Sequence, residues 1–393
     1  MNIIKIWTDE LLTVRKDIGI LLFVVAMPLF YPLLYVSVYT LETQRDVPIA
    51  IVDADNSPTS RQFVRNLDAT PEVKVAAHCT SVAEAQQLME REEVYSVVVI
   101  SNDFENNLHK GKQSVVGLYC NMCSMIYYKN SMLACSNVSI AMNREIKVEN
   151  YIHANTEREA QIVQAPIDYK HTPLYNTAQG YGSFLMPPVL MLILQQTLLL
   201  GIGMSMGRTR ELTGGYALPS SRHYRNAFEI VTGKTLFYLL LYLLWGVYAH
   251  IFVTKLFGLP QLGHYSDFIL FIVPYLAACT AMGVTLSFLI YHREDCMLLF
   301  VFMSLPLLFM SGVSWPANNM PETIKWISYL FPSTFGLNAY VRISSMGASI
   351  ADVNREMIGI IIQIAVYSVA ACGLYYIKLR QKRRRRANGI FGI

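Results

Sequence analysis

The sequence predicts an α-helical membrane protein: six transmembrane helices, with an α/β extracytoplasmic domain inserted between helices 1 and 2. Three observations lead there. Of 393 residues, 53% are hydrophobic and only 15% charged, a balance too apolar for a water-soluble globular chain. The apolar residues are gathered into blocks near the ~20 residues that a hydrocarbon core of roughly 30 Å demands. Between the first block and the others lies a polar stretch, 42–175, in which strand-like and helix-like runs alternate.

Residues 1–17 place Ile3, Ile4, Trp7, Leu11, Leu12 and Val14 on one side and Lys5, Asp9, Glu10, Arg15 and Lys16 on another, the pattern of an amphipathic helix on the cytoplasmic membrane surface. Ile18–Thr40 follows with 23 uncharged residues and no small-residue cleavage site. It therefore reads as an uncleaved first spanning helix, 18–41, kinked by Pro28 and Pro32, rather than as a secretory signal.

The polar domain is expected to begin with a strand, Val47–Asp53. Ser57-Pro58 then supplies an N-cap and a first-turn proline for a helix from Thr59 to Ala69. A second strand spans Val73–Cys79, and Ser81-Val-Ala-Glu84 is a capping box opening a helix to about Glu92. A third strand, Val94–Ile100, precedes a helix from Asn102 to Lys110 that stops at Gly111. After a fourth strand, Val115–Cys120, the run from Met122 to about Gln164 holds no proline or glycine and reads as one long helix or two stacked ones. Strands alternating with helices imply a mostly parallel or mixed sheet with helices packed on it.

Residues 176–378 hold five more apolar segments: Tyr181–Met206, Thr235–Thr254, Phe268–Tyr291, Met297–Val313 and Met357–Ile377. Lys5, Arg15 and Lys16, then Arg208, Arg210, Arg222 and Arg225, then Arg293, then the basic tail 379–393 all fall on one side of six helices. By the bias of basic residues toward the cytoplasm, both termini are inside, and the 255–267 loop and the polar domain are outside. The net charge is only +4, but Lys378, Arg380, Lys382 and Arg383–Arg386 crowd behind the last apolar block. Beside a spanning helix this run reads as a membrane-lipid anchor, not a nucleic-acid site.

The fifth segment carries the most information. No charged residue occurs from Met297 to Met320, and the apolar run breaks at Gly312 and Pro316. After Pro321, Ile324, Ile327, Tyr329, Leu330 and Phe331 alternate with Glu322, Thr323, Lys325 and Ser328, with Trp326 suited to headgroup depth, up to Pro332. Residues 317–345 are thus expected to lie in the interface or to re-enter the membrane.

Several apparent motifs fail on their chemistry. Thr232-Gly-Lys-Thr235 lacks the upstream glycine of a phosphate-binding loop, Phe228 standing in its place, so the chain is expected to bind no nucleotide. Asp53-Ala-Asp55-Asn56-Ser57 has Pro58 where a calcium loop needs glycine, and reads as a strand-end turn with a helix cap. Gly312-Val-Ser314-Trp-Pro316 departs from the hydrolase elbow at its last position. Cys79, Cys120, Cys123 and Cys135 lack a second Cys/His pair at metal spacing, so no metal site is expected, and free thiols and one structural disulfide both remain open. The predicted spans carry no Asp, Glu, Lys or Arg, which argues against coupling to an ion gradient.

Ser311-Gly312-Val313-Ser314-Trp315-Pro316, then Met320-Pro321, then Trp326-Ile327-Ser328-Tyr329-Leu330-Phe331-Pro332-Ser333 resembles the end of the fifth helix and the re-entrant segment of type 2 ABC transporter permeases. The subgroup is the one with a large extracytoplasmic domain, described as drug or multidrug efflux permeases, and the resemblance covers the whole chain. It implies that the loop 206–234 carries a coupling helix docking on an ATPase subunit, through Arg210, Glu211, Gly214, Gly215 and Leu218. Positive-inside topology alone accounts for the arginines but not for Glu211 and the paired glycines. It further implies that helices two and five line a path at a dimer interface, with Gln195, Gln196, Phe302, Met303 and Phe309 facing an amphipathic or lipid-like cargo.

The implied partners are the ABC ATPase subunit, which would carry ATP and Mg, a second permease in a homodimer or sibling heterodimer, and a periplasmic membrane-fusion protein. The implied setting is a bacterial inner membrane. A receptor sensing ligand through the α/β domain is the alternative, disfavoured because the cytoplasmic pieces are short loops and a tail.

Overall fold

The computed structural model describes residues 2–40, 44–110, 112–122, 124–150, 174–177, 180–219 and 224–387. Two compact units emerge: Thr43–Thr172, and the combination of Met1–Glu42 with Pro173–Ile393.

In the first unit a four-stranded sheet runs in the order β2-β1-β3-β4, with β1 at Val47–Asp53, β2 at Val73–His78, β3 at Ser96–Ile100 and β4 at Val116–Cys120. β1 pairs parallel with β2 and β3, while β4 returns antiparallel to β3, so the sheet is mixed. The pleat sends Val47, Ile49 and Ile51 to a core with Phe63, Leu67 and Phe104, and Ala50 and Val52 to the other face with Cys79 and Ala85. Burial on both faces explains why β1 reads as continuously apolar. The turn after it forms as the spacing predicts: Asp53 Oδ1 accepts from the Asp55 and Asn56 amides at 3.1 and 2.9 Å, and Ser57 Oγ caps the Ser60 amide at 3.1 Å. Ser81 likewise caps Glu84 N at 3.2 Å, although the Glu84 carboxylate reaches back to Thr80 N at 2.8 Å. The helix expected from Met122 runs over Met125–Asn150; its continuation, like Gly111 and Cys123, lies outside the described residues.

In the second unit α1 spans Asn2–Lys16 and α2 Ile18–Val38. The later helices are α3 Tyr181–Leu212, α4 Ala227–Leu256, α5 Tyr265–Leu289, α6 Arg293–Met310, α7 Glu322–Ser328, α8 Pro332–Met346 and α9 Asn354–Ala387. Among the described residues, α2, α3, α4, α5 and α9 are long and apolar enough to cross a membrane. The segment expected as the fifth of six spans becomes α6, whose 18 residues begin with Arg293, Glu294 and Asp295. At 1.5 Å per residue α6 measures roughly 27 Å.

α3 is the hub, buried along nearly its whole length and packed by α5, α6 and α8. α2 and α4 are joined through proline chemistry. Pro28 has no N–H to give Val24 O, and Trp245 Nε1 of α4 donates to that carbonyl at 2.9 Å. Tyr248 OH adds a second bond between these helices one turn further on, donating to Leu29 O at 3.0 Å.

The segment expected to re-enter breaks where glycine and proline stand. Gly312 adopts φ +87°, Pro316 precedes a single 3-10 turn at Ala317–Asn319, Pro321 precedes α7, and Pro332 is the first residue of α8. α7 exposes Ile324, Trp326 and Ile327, whereas α8 buries Leu337, Ala339, Tyr340 and Ile343. Asn338 Nδ2 donates to Ser311 O at 2.6 Å, tying α8 to the end of α6.

Candidate functional site

The amphipathic amino-terminal helix is built into the helical unit rather than laid loosely against it. Ile6 and Val14 are buried, and so is a charge: Glu10, 4% exposed, forms an ion pair with Lys234 of α4, 7% exposed. The Glu10 carboxylate also accepts from Ser205 Oγ at 3.0 Å and Tyr238 OH at 3.2 Å. A buried carboxylate needs such partners, because desolvation is costly unless pairing and hydrogen bonds offset it. In the sequence Lys234 stands just before the third apolar segment; in the structure α4 starts earlier, at Ala227, and takes it inside.

A second network lies at the junction of α1 and α2. Asp17 caps α2 through the Gly19 and Ile20 amides, at 3.0 and 3.3 Å, and pairs with Arg208 of α3 at 3.1 Å and Arg293 of α6 at 2.6 Å. Arg293 in turn binds Glu211 at 2.6 Å and gives its backbone amide to the same carboxylate at 3.2 Å. Gly207 makes this possible: a Cβ there would stand 2.9 Å from Arg293 N. Two carboxylates and two guanidiniums therefore connect the amino-terminal helix, the end of α3 and the start of α6.

The predicted coupling residues divide into distinct roles. Arg210 is buried, donates to Phe288 O at 2.8 Å and stacks over the Tyr291 ring at 4.4 Å. Glu211 holds Arg293. Gly214 and Gly215 have φ +65° and +91° and close α3, Gly215 N bonding Arg210 O at 2.7 Å in the manner of a Schellman cap. Leu218 is buried. The features that favoured docking, Glu211 and the glycine pair, thus have intramolecular duties. Among the described residues, this end exposes three large hydrophobic side chains, Leu212 at 73%, Phe228 at 65% and Tyr216 at 40%, beside the polar Arg225 and Asn226. Sequence reasoning passed over these three because no helical period singles them out. The basic tail also reaches this loop, Lys382 Nζ donating to Pro219 O at 2.6 Å and Arg383 to Arg225 O at 3.2 Å.

The five predicted path residues are not brought together within one chain. Gln195 and Gln196 sit inside, on α3; Gln195 Oε1 accepts from Tyr275 OH at 3.1 Å, while its Nε2 and both amide atoms of Gln196 have no hydrogen-bond partner among the described residues. Phe302 and Phe309 point outward from α6, on a stripe with Leu298 and Leu305, and Met303 is half-buried. His250, which sequence reasoning did not single out, lies buried in α4, stacked 3.7 Å from the Phe268 ring with Nδ1 3.0 Å from Tyr340 OH. It joins α4, α5 and α8.

Six described cysteines are free thiols. Cys135, on the sheet-facing side of the Met125–Asn150 helix, has its thiol pushed up to about 12, by burial first and by Cys120 second.

Compared with known families, residues 18–372 match the family model described as ABC-2 family transporter protein. No curated protein matches the chain.

Proposed function

The chain belongs to the ABC-2 family of transporter proteins, and from that premise we propose that it is the permease subunit of an ATP-driven exporter in a bacterial inner membrane. It is a membrane protein, and the family implies an ABC ATPase as partner. In this reading α6 is the fifth of six spans, both termini are cytoplasmic and the sheet-containing unit is extracytoplasmic. Two permeases, identical or siblings, pair with two ATPases that hold ATP and Mg.

The observation that carries the coupling assignment is the Asp17–Arg208–Arg293–Glu211 network. It converts a push on the loop 206–234 into a force on α1, α3 and α6 together, since an ion pair with so little solvent around Asp17 resists being separated. Leu212, Tyr216 and Phe228 are the docking residues, because exposed apolar side chains at an interface centre commonly supply most of its affinity. Arg210, Glu211 and the glycine pair shape the loop that presents them.

For the cargo path, Gln195 Nε2 and both amide atoms of Gln196, without a hydrogen-bond partner among the described residues, supply polar groups inside the helical unit, and the outward stripe through Phe302 and Phe309 faces lipid or a second permease. A path with few polar groups and aromatic walls suits an amphipathic or lipid-like molecule, with a periplasmic membrane-fusion protein as a further partner. The test is co-expression with candidate ABC ATPase subunits from the same genome. Stable co-purification, together with ATP-dependent export from cells or vesicles, is expected; a chain that never associates with an ATPase would revive the receptor alternative.

A further inference from the structure

The four-stranded sheet has two edges, and the chain treats them differently. On β2 the edge is closed. Asp68, the last residue of the Pro58–Asp68 helix, takes the Val75 amide on Oδ1 at 2.8 Å, Lys74 is exposed, and the pairing with β1 skips Ala76, which bulges from the ladder. A side chain on the amide row, a lysine and a bulge are the devices by which natural sheets block a further strand. On β4 none of them occurs. Its five residues, Val116–Cys120, pair with β3 in unbroken register, and the sequence holds no charge and no proline from Gln113 to Tyr128.

The phase of the ladder says which backbone groups are free. Asn121 N donates to Tyr95 O at 2.9 Å, and on the other side of β3 Ala54 N donates to Ile100 O at 3.1 Å. Gly117 and Tyr119 therefore face β3, and the N–H and C=O groups of Val116, Leu118 and Cys120 point away from the sheet. Among the described residues no hydrogen bond reaches this outward row. Beside it Val115, Tyr119, Met122 and Met125 are 56–66% exposed. An open apolar edge of this kind is a template for one more strand.

We propose that β4 pairs antiparallel with β4 of a second copy of this chain, about a two-fold axis at Leu118, joining two four-stranded sheets into one. That register sets Leu118 against Leu118, Val116 against Cys120 and Gly117 against Tyr119. Each outward residue then exchanges both of its bonds with the copy. The bare backbone of Gly117 makes room for the second copy's exposed Tyr119 ring, and an uncharged stretch laid on itself brings no like charges together. One added strand buries less than the about 1,200–2,000 Å² of a free-standing interface. It suffices for copies already held side by side in one membrane, where the local concentration is high. The proposal rests on the permease reading in that single respect, that two identical chains are neighbours.

The experiment is disulfide cross-linking of the full-length chain in its membrane, with Cys120 and Cys123 replaced by serine. Two differently tagged copies are co-expressed, one carrying Gly117→Cys and the other Tyr119→Cys, positions whose Cα atoms would stand about 4.5 Å apart across the axis. A Cβ at Gly117 has room, its nearest neighbour lying 3.4 Å away. Copper phenanthroline should link this mixed pair at least about tenfold faster than a control pair on the closed edge, Lys74→Cys with Ala76→Cys. Leu118→Pro removes an outward amide and no rung of the β3 ladder. In both copies it should slow the mixed link about tenfold, the size of two lost backbone bonds. If that variant does not fold, the cysteine pair decides alone. A mixed pair no faster than the β2 control overturns the proposal. So does a Tyr119→Cys chain that links to a different protein, which would give this edge to another partner. No ATPase enters the assay, so its failure leaves the permease reading standing, and ATPase co-purification of the same chains tests that reading separately.

Discussion

Glu10 and Lys234 are each affordable only while the other is present. Removing one partner of a buried pair leaves an uncompensated charge, at a cost of about 3–5 kcal/mol, whereas replacing both with apolar side chains of similar volume is often close to neutral. Lys234→Met alone should therefore cut folded yield and lower the thermal midpoint in detergent sharply, and Glu10→Leu combined with Lys234→Met should recover most of the loss. A double variant no better than the single one would show that the pair does more than neutralise itself. Cys135 tests burial in the α/β unit. Its thiol is raised from 9.0 to about 12, so the advantage of the neutral form is complete below pH 9 and is lost as pH climbs toward 12. At pH 8, maleimide should label Cys135 far more slowly than half-exposed Cys120, and the unit should lose stability only in strong alkali. Rapid labelling of both thiols at pH 8 contradicts this.

Helix α2 contains two prolines, and α4 answers the first of them with the indole N–H of Trp245. If Trp245 compensates for the amide that Pro28 lacks, Trp245→Phe should destabilise by about 1–3 kcal/mol, the cost of a buried unmatched carbonyl. In a Pro28→Ala background that penalty should shrink, because the new backbone amide can bond to Val24 O. Thermal unfolding of the four proteins in the cycle reads the coupling directly, and equal penalties in both backgrounds would rule the exchange out. The loop between α3 and α4 separates in the same way. Leu212→Glu and Phe228→Glu change exposed side chains, so the thermal midpoint should hold while ATPase co-purification falls about tenfold or more. Glu211→Ala should do the opposite first: it frees Arg293, lowers the midpoint and weakens export through the fold. If Leu212→Glu and Phe228→Glu retain the ATPase and export normally, α1 becomes the docking surface to test.

For the whole molecule the decisive quantity is sidedness. With both termini inside, a cysteine introduced at Thr59 should react with a membrane-impermeant maleimide in intact cells, and one introduced at Tyr216 only after lysis. The reverse pattern would turn the protein over and move the Asp17–Arg208–Arg293–Glu211 network to the wrong side for an ATPase. Purified chain alone should hydrolyse no ATP above background, as Phe228 stands where a phosphate-binding loop needs glycine.

What the sequence determined by itself is what neighbouring residues decide among themselves. Ser57 and Ser81 cap the helices that follow them, Gly214 and Gly215 stop α3, and Gly312, Pro316, Pro321 and Pro332 break the chain where a re-entrant segment was expected, because capping, left-handed backbone and a missing amide act within one turn. Apolar runs marked the membrane helices for a similar reason, since each must close its own backbone hydrogen bonds. Partnership across the chain was another matter. Glu10 and Lys234 are 224 residues apart and Asp17 and Arg293 are 276 apart, and in the sequence each reads as an ordinary charge flanking a span. Glu211 and the glycine pair looked reserved for a partner until Arg293 and the cap at Arg210 O accounted for them. Only packing decides which charges are buried and therefore must be paired, and burial belongs to no single stretch of chain.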